Sequence, residues 1–545
     1  MKHRYFAIIG TVGLAAALLL TACQGKSGAN AKSSADTTWS RMEKDVITTM
    51  DPSLITDSVS GQAAADTYEG LYRYYGAELE PGVAKSVVKP TQNGTVYTFK
   101  LRNSKWSNGD PVTAKDFVFA WRRTVDPATK SQYAYLYTGI KNADQIMAGK
   151  KKADTLGVKA LDDHTFQVTL EHAIPYFGTM MVSNAFFPEN QKVVDQAGKK
   201  FGTQSKYLVF NGPYKLTKWN GTGNSWTEVK NPDYWNAKDI HVNKINVQVV
   251  KDASTAMNLF QAGKLDDAQL DGDQAAQAKS QKDYKGMKQS RTTYLEFNQK
   301  KIPAFRNTKL RQAVSLAIDR QEFVKKVLDD GSISTDTVTS SGLAKDPTTG
   351  KDFTKSLTAS TAQYTAFNLA KAKKLWQEGL QETGQKSLDI TLLSDDTSAA
   401  KRSAEYFQNA LGELPGLKIS VQPVPFKTRI ARSMAGNFDM VISGWGADFP
   451  DPISFLDLFT TDNTYNFGHY SNKQYDALIA ASKTTDATNE TKRWADLRQA
   501  QELLTKEEGI VPVYQMVQSH LVNPKMQGMT YSPNNLYNFI GAKIK

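Results

Sequence analysis

Cysteine is almost absent from this chain: Cys23 is the only one among 545 residues. That excludes an internal disulfide and a thiolate metal site, so stability must come from packed cores. Histidine is nearly as scarce. The six, at 3, 164, 172, 241, 469 and 520, are spread along the chain, and none forms an H-E-x-x-H zinc pair. A Walker loop, a G-x-S-x-G elbow and a G-x-G-x-x-G fingerprint are all missing. No metal, no cofactor and no catalytic residue is therefore expected. Dense basic runs are missing too. The net charge of +12 becomes +10 once Lys2 and Arg4 leave with an N-terminal signal (12 − 2, with no acid in residues 1–22). Scattered positive charge argues against a nucleic-acid partner and fits an anionic envelope surface.

Long apolar runs are confined to the first residues. Lys2, His3 and Arg4 precede an apolar stretch over 6–20 that is short for a membrane span. It ends in Leu20-Thr21-Ala22-Cys23, which resembles a bacterial lipobox. Residues 1–22 are thus expected to be a lipoprotein signal peptide, with Cys23 lipidated as the new N-terminus. Residues 24–38 are rich in Gly, Ser, Ala and Lys and read as a flexible tether with a reach of about 20 Å. The mature chain is expected to be anchored on the extracytoplasmic face of the cell membrane without spanning it.

Beyond the tether the chain is long enough for more than one domain. Residues 46–50 read as a strand stopped by Asp51-Pro52. The alternation in 96–102 and 164–170 predicts half-buried strands. Thr113 with Asp116 has the spacing of a capping box at a helix start. Tyr133, Tyr135 and Tyr137 alternate and are expected on one face of a strand. From 294 to 450 strands and helices alternate: a helix over 310–328, helices over 368–380 and 399–411, and strands at 388–393, 419–421 and 440–442. This predicts a mainly parallel α/β sheet, which places ligands beyond the ends of its strands.

One stretch stands out at such an end: Gly444-Trp445-Gly446-Ala447-Asp448-Phe449-Pro450-Asp451-Pro452. Gly444 and Gly446 lack a Cβ and allow close backbone approach. Pro450 and Pro452 stiffen the segment. Asp448, between Trp445 and Phe449, fits a small ammonium group held between aromatic walls. A plainer role, capping the following turn or helix, fits the same residue.

The stretch resembles the W-x-A-D-(Y/F)-x-(D/E)-P-x-x-F motif of the oligopeptide-binding proteins of ABC importers, extracellular solute-binding protein family 5. Further segments match in the same order: 66–71, 106–113, 211–214, 294–298 and 317–320. The resemblance implies an α/β, two-lobe fold of the type II periplasmic-binding-protein kind (a Venus flytrap) with an extra subdomain. It divides the chain into a first lobe (39–73, 206–297 and 516–545), the subdomain (74–205) and a second lobe (298–515). It implies a monomer that captures an extended oligopeptide between its lobes and delivers it to a separate permease and ATPase. Asp448 would meet the peptide's α-amino group, with Trp445, Gly444, Gly446, Ser60, Gln62, Ala63, Tyr135 and Asn298 as further contacts. The chain departs from the family at the ligand's other end. A position that is basic in some members is Ile442 here, and Arg432 is out of register by about one. A receptor for signalling peptides or a surface adhesion lipoprotein is the alternative on the same fold.

Overall fold

The computed structural model describes residues 37–76, 78–357, 361–532 and 536–545. The expected signal peptide, Cys23 and the tether as far as residue 36 lie outside the described residues. Eleven described strands form the central sheet: β1 (Thr38–Glu43), β2 (Tyr214–Thr217), β3 (Ser225–Lys230), β4 (Lys244–Val249), β5 (Asp267–Leu270), β6 (Tyr284–Phe297), β7 (Ile333–Ser334), β8 (Leu388–Asp395), β9 (Leu417–Val424), β10 (Met440–Gly446) and β11 (Val511–Val522). Their order is β9-β8-β10-β6-β11-β5-β1-β4-β3-β2, with β7 against β11. The helices that matter below are α1 (Ser58–Thr67), α2 (Ala114–Val125), α3 (Leu369–Glu382), α4 (Ser398–Gly412) and α5 (Phe426–Met434).

Two lobes share this sheet. In the first, β1 runs parallel to both β4 and β5. In the second, β8 runs parallel to β9 and β10. Parallel strands need crossovers, and α4 supplies one between β8 and β9. The apolar faces of α3 and α4 carry Trp376, Ala404, Phe407 and Leu411. These join Ile390, Leu392, Leu417 and Ile419 of the sheet in one core. Each Phe, Leu or Ile side chain among them contributes about 1.5–3 kcal/mol when fully buried.

The long strands β6 and β11 run through both lobes. Tyr284–Lys288 pair with the C-terminal half of β11 and Thr292–Leu295 with its N-terminal half, and the register shifts between Lys288 and Thr292. Irregular pairing of this kind bends a strand, and it marks where the chain passes between lobes. Residues 291–297, expected with the first lobe, pair with β10 of the second.

The subdomain packs α2 against a three-stranded antiparallel sheet (Val96–Lys100, Val158–Asp162, Thr165–Thr169). The Thr113–Asp116 capping box is present. Trp121 of α2 sits edge-on to Phe166 at 5.0 Å and to Tyr137 at 5.6 Å.

Three local expectations fail. Residues 46–50 are not a strand; the Thr48 and Thr49 N–H groups donate to the Ser60 side chain instead (2.9 and 3.4 Å). The helix expected over 310–328 breaks, because Asp319 caps a new turn and accepts from the Glu322 N–H (2.9 Å). Tyr133, Tyr135 and Tyr137 lie in a 3₁₀ helix, Gln132–Tyr137. With three residues per turn rather than two, Tyr137 turns toward Trp121 and Phe186 while Tyr133 and Tyr135 both stay beside Tyr465.

Candidate ligand-binding cavity

A cavity lies between the lobes, where β10 ends and β6 changes partners. It leaves about 200 Å³ for water-sized molecules. Trp445, Gly444, Gly446, Asp448 and Gln62 line it, as do Tyr133 and Tyr465, neither of which is among the contacts the resemblance implies.

Asp448 is fixed from several sides. Its N–H donates to Ser454 Oγ (2.8 Å), and the Ala447 N–H donates to the Ser290 carbonyl (2.8 Å). Three residues on, the Asp451 carboxylate accepts from both terminal nitrogens of Arg493 (3.0 and 2.7 Å), a buried two-point pair. The Tyr133 hydroxyl, from the subdomain, donates to Asp448 Oδ1 (3.0 Å). Asp448 Oδ2 is buried and accepts no hydrogen bond from the described residues. The residue keeps some surface, facing the cavity. Burial pushes its carboxyl up to about 7, against the opposing pull of the Tyr133 hydrogen bond.

Three rings frame this carboxyl. Trp445 lies 4.6 Å from Tyr465 and 6.2 Å from Tyr133, both near edge-on, and Tyr133 and Tyr465 are 5.6 Å apart. An unpartnered carboxylate oxygen beside aromatic rings is a receptor for an ammonium group. Phe449, expected as a wall, turns away and stacks on Tyr176 at 5.2 Å.

Four expected contacts lie outside the cavity lining. Ser60 is fully buried, and its oxygen holds residues 48–49. Ala63 is part of the core. Tyr135 faces a small neighbouring pocket with Tyr176 and Phe449, so Tyr133 takes the position expected of it. Asn298 closes a turn, donating to the Gly436 and Phe438 carbonyls (2.9 and 3.1 Å). Gln62 lines the cavity with its amide already engaged by Asp66 and by the backbone of Tyr537.

The remaining charges differ between lobes. On the first, Arg41 is buried with Glu43, Asp66 and Glu228, and His520 meets Asp267 at 2.6 Å. On the second, Arg429 pairs with Asp395 (2.8 Å). Arg291 also lines the cavity; its Nε is buried without a partner, and burial pushes its guanidinium down. Among the described residues no group of three or more His, Cys, Asp or Glu is placed to hold a metal ion, and no helix is long and apolar enough to cross a membrane.

A two-lobe α/β body with a cavity at the strand ends defines a solute-binding protein. Residues 78–467 match the family described as bacterial extracellular solute-binding proteins, family 5 Middle, and the chain belongs to that family, one of binding proteins and not of enzymes. It is 37% identical over 517 residues to a dipeptide-binding protein of Lactococcus lactis, covering 92% of this chain and 93% of that one. In structure it resembles Listeria monocytogenes OppA bound to peptide (TM-score 0.88, 36% identity, 94% of this chain and 99% of that one). It resembles the pheromone receptor PrgZ to the same degree (TM-score 0.88, 35% identity, 94% and 100%).

Proposed function

We propose that this protein is a lipid-anchored extracellular receptor that captures peptides in the cavity between its lobes. It hands them to the permease and ATPase of an ABC importer, which are separate chains. The observation that carries the reading is the Asp448 carboxylate, with one buried oxygen unpartnered between Tyr133, Trp445 and Tyr465. A peptide's α-ammonium supplies the missing charge, and leaving it out costs several kcal/mol in a desolvated site. The peptide main chain lies extended against the backbone around Gly444 and Gly446 and is read as in strand addition, which tolerates many sequences. The relatives support peptides over other solutes, since two carry peptide binding in their names. Anchoring rests on Cys23 and the signal that precedes it.

Calorimetric titration tests this. The purified protein is stripped of carried-over ligand by unfolding and refolding, then titrated with short peptide pools, free or N-acetylated. Free peptides bind, acetylated ones bind far more weakly, and Asp448→Ala abolishes the difference. Equal binding of both pools removes Asp448 from its role. A signalling peptide as natural ligand is the second reading, favoured by the likeness to PrgZ. It predicts one tight sequence among the pools instead of broad binding.

A further inference from the structure

The loop that carries Asp448 is held from behind as well as from the cavity. The residue after it, Phe449, stacks on Tyr176, with ring centres 5.2 Å apart and planes within 3° of parallel. Arg493, whose two terminal nitrogens hold Asp451, reaches the same ring, its guanidinium carbon 5.0 Å from the centre. One ring thus meets the loop at two points, directly at 449 and through Arg493 at 451. Tyr176 does not belong to the second lobe. It precedes the short helix Phe177–Met180, and Phe177 is seated on Tyr97 of the subdomain's sheet with 4.8 Å between centres. Between Tyr176, Phe449, Tyr135, Ile453 and Ser454 only about 20 Å³ is free, room for about one water. Ser454 is the residue whose Oγ accepts from the Asp448 N–H (2.8 Å). Water admitted here in quantity competes for that hydrogen bond. On the strand side the loop is already tied, by the Ala447 N–H to the Ser290 carbonyl (2.8 Å).

We propose that Tyr176 is a positioning residue for recognition of the ligand's ammonium group: from the subdomain it fixes the 448–451 loop of the second lobe, through Phe449 and Arg493, and so aims the Asp448 carboxylate. This role rests on the peptide-receptor reading and adds to it a residue outside the lining of the interlobe cavity. It also gives the subdomain a task. Tyr133 holds the carboxylate itself and Tyr176 holds the backbone that carries it, so subdomain and second lobe present one ammonium site between them. A loop tied on the strand side alone lets the carboxylate swing toward water. There its ordering must be supplied at each binding event, and an ion pair is worth little.

The test pairs titration calorimetry of the ligand-stripped protein, using tri-alanine and its N-acetyl form, with hydrogen exchange of the ligand-free protein read by mass spectrometry. The wild type binds tri-alanine at least about tenfold more tightly than the acetylated form, the worth of one charge-assisted contact. Tyr176→Ala brings the two within about threefold, by weakening the free peptide while the acetylated one changes less than about twofold. Without ligand, the same variant exchanges the amides of residues 447–455 at least about tenfold faster. Tyr176→Phe keeps the ring and holds both readings within about twofold of the wild type. Tyr176→Leu, which fills the space without a π face, falls between the two and serves where the alanine variant does not fold. Undiminished discrimination in a folded Tyr176→Ala or Tyr176→Leu protein overturns the assignment and leaves the peptide receptor standing. So does an equal loss of affinity for both peptides, which marks Tyr176 as a structural residue only, and so does unchanged exchange in the loop. Equal binding of both peptides by the wild type, or binding of neither, overturns the contact between Asp448 and the ammonium group, and this inference with it.

Discussion

Lowering the pH should weaken ligand binding by a predictable amount. In the ligand-free protein the Asp448 carboxyl is pushed up to about 7 because burial disfavours its charge. An ammonium ligand binds only the ionised form, so below pH 7 binding must first expel a proton. Apparent affinity then scales as 1/(1 + 10^(7 − pH)), and it falls about 25-fold between pH 7.5 and pH 5.5. At pH 6 about nine-tenths of the sites are protonated, so each peptide bound releases about 0.9 proton. Titration calorimetry at pH 6 in two buffers of different ionisation enthalpy reads that number directly. Burial also raises the cavity carboxyls of Glu43 and Asp57, so the control is Asp448→Asn, in which the steep limb disappears. The sign for stability is the opposite of the usual aspartate case. A carboxyl raised on folding stabilises the ligand-free protein at low pH, and that contribution is lost as pH rises through 7. Peptide therefore raises Tm more at pH 8 than at pH 5.5. Affinity that changes less than threefold over this range, with no buffer-dependent heat at pH 6, refutes the assignment of Asp448 as the ammonium partner.

Other perturbations have equally definite outcomes. Asp451→Ala strands the buried Arg493 charge and should cost about 3–5 kcal/mol; urea unfolding measures it, and peptide affinity falls too because the loop that aims Asp448 loosens. Glu296→Gln should change stability at pH 7 by less than about 1 kcal/mol. Its carboxyl, pushed up to about 8 by burial, is already mostly neutral there, and the Gly468 N–H (2.7 Å) keeps an acceptor. Above pH 8 the variant should become the more stable of the two, which denaturation at pH 9 checks. Lys251–Asp396 (2.6 Å) and Arg402–Asp271 (2.7 Å) tie the first lobe to the second. Each is partly exposed and worth about 0.2–1 kcal/mol, so Asp396→Ala with Arg402→Ala should speed ligand release several-fold in stopped flow, an effect that high salt erases.

Local composition singles out the stretch around Asp448, since two glycines and two prolines at a strand end leave few conformations open, but it leaves both a cap and a ligand contact open, and the ligand role comes from the family resemblance. The regular segments of the second lobe were equally legible, since β8, β9, α3 and α4 each carry an apolar period that a core can use. Tyr133 is less legible, because alternation predicts a strand where a 3₁₀ helix turns every third residue. Tyr133 therefore meets Asp448, and Tyr135 the neighbouring pocket. Phe449 departs from its expected place as a wall because a stacking partner, Tyr176, pulls it away from its neighbour in sequence. Arg291 carried no local sign at all. Its position depends on pairing with Gly446 and on Arg429 having already taken Asp395, facts of tertiary structure.

That last contrast bears on how the protein works. Asp448 lies two residues beyond the end of β10, and Arg291 lies on the neighbouring β6, within the stretch where the register breaks between the lobes. The partner that reaches Asp448 across the cavity, Tyr133, belongs to the subdomain. A ligand that neutralises the Asp448 carboxylate removes an electrostatic cost of shutting the cavity around it. On the same reading, closure is favoured by the ligand's ammonium and main chain more than by its side chains, because those are common to all peptides. On the peptide reading, such a receptor discriminates by the free amino terminus while remaining indifferent to sequence, because Asp448 meets the ammonium and the backbone around Gly444 and Gly446 meets the main chain.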